Sequence, residues 1–108
     1  METYALNFKL PERLKKDEIN EIFQKGKFKR GKMLTVFYRK GEGKVAFTVK
    51  KEKLKAHDRN RIKRLLREVF RRNKLLFKGY DVVIIGKSEI LNSNFTELEK
   101  ELKEIWEK

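Results

Sequence analysis

The chain has no cysteine, which excludes disulfides and thiolate metal sites and fits a reducing cytosol. It has one histidine, His57, and no Cys or Ser at a spacing that would make a nucleophile–base pair with it. Acids are scattered rather than clustered, so nothing in the pattern suggests a carboxylate cage for metal ions. The longest purely apolar run is Val82-Val83-Ile84-Ile85, far short of a membrane span, and no signal peptide is visible. Internal repeats, low-complexity tracts and linkers are also missing, so residues 1–108 are expected to form one domain.

What the chain has in excess is positive charge. Lys and Arg number 29 against 16 Asp and Glu, a formal net charge of +13. A field of that sign concentrates polyanions, with nucleic acid as the first partner to consider and an anionic membrane surface as the second. The membrane reading is the weaker, because the most basic segment would have to leave its own core to insert. Glutamate and lysine abound beside a single glutamine, a bias of the kind seen in thermophiles.

The charge peaks in Arg59–Lys74, sixteen residues with eight cations and one acid, Glu68. Ile62, Leu65, Leu66, Val69 and Phe70 recur at i, i+3, i+4, i+7 and i+8, the spacing of one helix face. Asn60, Arg64, Arg67 and Arg71 fall opposite, flanked by Arg59 and Lys63 on one side and Arg61 and Arg72 on the other. One face is core; the other is a cationic stripe whose mutual repulsion makes sense beside a polyanion. Arginine forks suit phosphate oxygens and base stacking, and Asn60 adds a neutral donor and acceptor in the first turn. Asp58 is expected to cap this helix, Glu68 to pair with Arg64 or Arg72, and His57 to be a surface residue at the helix start.

Elsewhere, Phe8, Leu10, Pro11 and Leu14 suggest an extended apolar arm over 1–16, and Asp17 can cap a first helix running to Lys25 with Gly26 as its stop. Met33–Tyr38 and Lys44–Lys50 read as strands joined through Gly41-Glu42-Gly43, a hairpin, with a short edge strand at Phe28–Arg30. Tyr80–Ile85 reads as a strand buried on both faces, and Asp81 at its start as a turn or cap residue rather than a metal ligand. The strand–helix–strand order predicts parallel pairing, right-handed by the general rule. A last helix, capped by Asn94 or Ser93, has Phe95, Leu98, Leu102, Ile105 and Trp106 as its core stripe, with Glu97, Glu99, Lys100, Glu101, Lys103 and Glu104 facing water. Phe23 and Phe37, with Tyr38 or Phe47 nearby, are candidates either for core or for a groove that stacks single-stranded bases.

Arg59-Asn60-Arg61-Ile62-Lys63-Arg64, continued by Leu65-Leu66-Arg67-Glu68 and preceded by Ala56, resembles the RNR signature of the bacterial ribonuclease P protein subunit. Arg13-Leu14-Lys15-Lys16, Ile22–Lys27, the strand pair and Asp81–Ile85 follow in the family's order, so the likeness covers in effect the whole chain. It implies an α+β sandwich of the ribosomal S5 domain 2-like type, in the order α-β-β-(β)-α-β-α, with a left-handed strand–helix–strand crossover in place of the general rule's right-handed one.

The resemblance further implies a monomeric protein cofactor, in a 1:1 cytoplasmic ribonucleoprotein, of a ribozyme that removes the 5′ leader of precursor tRNA. Catalysis would belong to ribonuclease P RNA with bound Mg²⁺. By matching positions, Lys51, Arg59, Asn60, Arg61, Lys63, Arg64 and Arg67 would contact the catalytic RNA, with Arg71 continuing the stripe, and Ile19, Phe23 and Phe37 would line a cleft for the leader. Metal positions on the protein are not implied. Glu52 stands where the family usually has a lysine, Leu54 where it has glycine, His57 where it has an aliphatic residue, and Ile19 where phenylalanine is common. The rival readings are a general RNA-binding or ribosome-associated module with no leader cleft, and an autonomous metal-dependent nuclease.

Overall fold

The computed structural model describes residues 13–107. Among these residues three helices and four strands run in the order α1 (Lys16–Lys25), β1 (Lys27–Arg30), β2 (Leu34–Lys40), β3 (Val45–Val49), α2 (Ala56–Arg72), β4 (Tyr80–Gly86) and α3 (Phe95–Glu107). Short 3₁₀ turns at Lys74–Phe77 and Ser88–Asn92 flank β4. This is the α+β element order expected. The apolar arm read at Phe8, Leu10 and Pro11 lies outside the described residues. Of the same stretch, Leu14 is buried against Ile22, Ala46 and Val83, and its N–H donates to the Val45 carbonyl at 3.2 Å.

The sheet order is β1-β2-β4-β3, which corrects the expected hairpin between β2 and β3. Val82, Val83 and Ile84 are all buried, and a strand that is apolar on both sides is most stable in the centre of a sheet. So β4 inserts between β2 and β3, antiparallel to the first and parallel to the second. The hairpin that does form joins β1 to β2, with Phe28 opposite Phe37. Gly41–Lys44 is instead a wide connection tied down by Asp81. That carboxylate accepts the N–H groups of Glu42 and Lys44, each at 3.0 Å, and Arg39 Nε at 3.4 Å. Asp81 is thus a turn residue, as its position predicted.

Side-chain alternation gives the sheet two unlike faces. Leu34, Val36, Val45, Val49, Val82 and Ile84 face α2 and α3, where Ile62, Leu66, Val69, Phe70, Leu98 and Leu102 complete the main core. The other face, with Phe37, Ala46, Val83 and Ile85, packs against Leu14, Ile19 and Ile22 of the α1 side.

Helix boundaries correct two expectations. Lys15, not Asp17, occupies the α1 N-cap, and Glu18 three residues on accepts the Lys15 N–H at 2.8 Å. Lys55, not Asp58, precedes α2, because the helix begins three residues earlier than the apolar period; Asp58 sits in its first turn, where a carboxylate complements the helix dipole. In α3, Asn94 caps as expected, its Oδ1 accepting the Glu97 N–H at 2.9 Å. Glu101, however, does not simply face water: Oε2 accepts the N–H groups of Met33 (2.7 Å) and Leu34 (3.0 Å), anchoring the β1–β2 turn. Glu99 likewise accepts from Asn73 Nδ2 at 2.8 Å.

Candidate nucleic-acid interface

The α2 helix buries Ile62, Leu66, Val69 and Phe70, and this alone fixes which way its cations point. Asn60, Arg61, Arg64 and Arg67 are exposed, and Arg59 and Lys63 are half-buried along the flanks. Arg71 departs from the expected stripe: it is half-buried, and its Nη2 donates to Glu68 Oε2 at 2.7 Å. Glu68 therefore pairs one turn C-terminally at i+3 rather than with Arg64 or Arg72 at i+4. Arg72 lies over the Phe95 ring at 5.1 Å.

The loop from β3 to α2 brings further cations to the start of this stripe, with Lys50, Lys51, Lys53 and Lys55 all exposed. Two of its unusual residues hold it. Glu52 accepts the Ser88 backbone N–H at 3.3 Å and its hydroxyl at 3.2 Å, and Leu54 packs against the main core. His57 is mostly exposed in the first helical turn, with Nε2 3.3 Å from Asp58 Oδ1.

On the opposite sheet face three phenylalanines gather at the side of α1. Phe37 is half-buried and central; Phe23 meets it edge-on with ring centres 4.9 Å apart, and Phe28 stacks on it at 5.3 Å. Phe23 is 40% exposed and Phe28 53%, unusual values for large apolar side chains beside a core. Ile19 is half-buried and packs at the inner edge of this group. Arg30 lies 5.7 Å from the Phe28 ring. Phe28 was missed by the sequence reading. Its signal is the register Phe28↔Phe37, hidden while β2 was paired with the wrong strand.

Basic stripe and aromatic group therefore belong to elements packed on opposite faces of the sheet. Among the described residues, no three His, Asp or Glu side chains come together as a metal site, and no helix is long and apolar enough to cross a membrane.

The family model of ribonuclease P matches residues 8–108. The chain belongs to the ribonuclease P protein family. The ribonuclease P protein component of Desulfosudis oleivorans is 36% identical over 109 residues, covering 96% of this chain and 90% of that protein. That of Pseudoalteromonas atlantica is 41% identical over 66 residues, 60% of this chain and 55% of the other. The solved ribonuclease P protein of Thermotoga maritima superposes with a TM-score of 0.78 at 33% identity, covering 88% of this chain and 94% of that one.

Proposed function

We propose that the chain is the RNA-binding protein subunit of a cytoplasmic ribonuclease P that removes the 5′ leader of precursor tRNA, in a 1:1 complex with ribonuclease P RNA. The observation that carries this is the juxtaposition of a one-sided arginine stripe with an exposed aromatic group across a single sheet. Asn60, Arg61, Arg64 and Arg67, flanked by Arg59 and Lys63 and extended by Lys51, dock on the catalytic RNA by neutralising phosphates. Arg71 contributes less, since its guanidinium is already engaged by Glu68. Phe23 and Phe37, with Phe28 added and Ile19 as an apolar wall, hold the unpaired leader by base stacking.

Mg²⁺ in this reading belongs to the RNA. Among the described residues, carboxylates such as Asp81, Glu101 and Glu52 are engaged in structure, and no three acids or histidines come together. The protein supplies charge neutralisation and substrate placement, and the RNA supplies the reaction.

Reconstitution tests this. The protein added to ribonuclease P RNA should restore 5′ cleavage of precursor tRNA at low Mg²⁺, where the RNA alone is slow. Protein with Mg²⁺ and no RNA should leave the substrate intact; specific 5′ processing in that tube would place catalysis in the protein and overturn the reading.

A further inference from the structure

A second cationic site lies away from the arginine stripe, where α1 ends and β1 begins. A cavity of about 420 Å³ there is lined by Lys25, Gly26, Lys27, Tyr38, Arg39, Lys40 and Tyr80. The sheet register puts its walls on one face: Lys27 is opposite Tyr38, and Lys40 opposite Tyr80. The tyrosine rings meet edge-on at 5.9 Å and rest against Trp106, which fixes them as a floor. Gly26 makes the corner possible, since a Cβ there would come within 2.6 Å of the Ile22 carbonyl oxygen and 2.8 Å of the Tyr38 carbonyl oxygen. Lys25 and Lys27 flank this corner and line the cavity.

No acid lines the cavity. Arg39 is held by Glu18, Glu21 and Asp81, but the side chains of Lys25, Lys27 and Lys40 make no hydrogen bond or ion pair with any described residue, and neither tyrosine hydroxyl has a partner among them. Three lysines and two tyrosines thus line one concavity that no described acid lines, and phosphate oxygens match their ammonium and hydroxyl donors.

We propose that the cavity of Lys25, Lys27, Lys40, Tyr38 and Tyr80 is a further RNA-binding site, which takes the phosphodiester backbone of an RNA strand separately from the α2 stripe and from the phenylalanine group. This rests on the RNA-binding reading above, and extends it to the β1 side of the sheet, across from edge strand β3. Lysines take the phosphates as point charges, and the hydroxyls of Tyr38 and Tyr80 donate to phosphate or ribose oxygens.

The test compares three full-length variants by the salt dependence of binding to ribonuclease P RNA: the triple variant Lys25→Ala/Lys27→Ala/Lys40→Ala, a charge-matched control Lys32→Ala/Lys100→Ala/Lys103→Ala, and Arg64→Ala/Arg67→Ala. The site predicts an affinity loss of about tenfold or more in the first, with the slope of log K against log salt falling by about two. It predicts little change in the control. Tyr80→Phe, which keeps the ring, should lose affinity by a few fold. Equal losses in the pocket variant and its control would mean bulk charge only and overturn the site. No loss in the pocket variant, with a large loss in Arg64→Ala/Arg67→Ala, would overturn it while leaving the function above intact. Loss in none of the three would overturn that function itself. Uridine monophosphate binding as tightly as an RNA strand would make the ligand a free nucleotide and refute the assignment to RNA.

Discussion

The guanidinium of Arg67 lies 5.9 Å from the centre of the Phe47 ring. Phe47 belongs to β3, the edge strand, and packs in turn on Phe70 of α2 at 5.7 Å, so the same ring serves the core and supports a cation above it. An arginine spread over an aromatic face is partly pre-ordered for bidentate contact with phosphate, because less side-chain freedom remains to be lost on binding.

The stripe should therefore be separable from the fold. Arg64→Glu with Arg67→Glu is expected to abolish measurable association with ribonuclease P RNA in filter binding, with stability changed by only about 0.5 kcal/mol per site, as for exposed positions. Arg67→Lys, which keeps the charge but not the planar fork, should recover only part of the affinity. A double variant that fails to fold, judged by circular dichroism, would show that these side chains are structural.

The aromatic group makes a different prediction, about substrate rather than the catalytic RNA. Replacing Phe23 or Phe28 with alanine should weaken holoenzyme binding of leader-bearing precursor tRNA by about tenfold, within the 1–3 kcal/mol of a base stacked on a ring. Mature tRNA binding should hardly move. Phe37→Ala should do the same at a greater cost in stability, because that ring is half-buried between its two neighbours. Equal losses for precursor and mature tRNA would remove the leader from the account.

How much of this was legible beforehand follows from which signals are local. The arginine stripe was readable because helical periodicity depends only on neighbours three and four apart, and Ile62, Leu66, Val69 and Phe70 are indeed its buried side. Strand pairing is not local: Gly41-Glu42-Gly43 looks like a hairpin turn, and only the competition for the central position, won by Val82–Ile84, sends β3 to the far side of β4. The same long-range event hid Phe28, whose partner Phe37 is found only once β1 and β2 are paired. Carboxylates were the other gap. Glu101 and Asp81 reach backbone N–H groups 67 and 39 positions away, contacts for which no spacing rule exists.

Acid should loosen the α1 side of the molecule. The Lys15 N–H, and then the Lys44 ammonium, hold the Glu18 carboxyl below the ordinary glutamate range. A carboxylate with a folded-state pKa depressed in this way contributes stability above its unfolded value near 4.3, and that contribution is lost as pH falls through the lower, folded value. Urea denaturation of the wild type and Glu18→Gln should thus differ at neutral pH and converge in acid, as Glu18 of the folded protein becomes protonated. A gap that persists in acid would assign the effect to something other than charge.

Asp81 offers the sharpest test of why the chain between β2 and β3 takes the path it does. Its side chain is nearly all buried, and it satisfies two backbone donors of the Gly41–Lys44 connection while meeting Arg39. Removing it leaves those N–H groups to water at the molecular surface and a guanidinium still held by Glu18 and Glu21, so the loss falls short of an unpaired buried charge. Asp81→Ala should cost about 2 kcal/mol, and Asp81→Asn, which can still accept, about half of that. Gly41→Ala approaches the same contact from the other side, since a Cβ there would lie 2.2 Å from Asp81 Oδ2, and it should be similarly destabilising. Each is read as a shift in the urea midpoint at constant slope. Because the arginine stripe lies on a different element, its share of the RNA affinity per folded molecule should be unchanged. An unshifted midpoint in Asp81→Ala would mean that β4 takes its central place without this clamp.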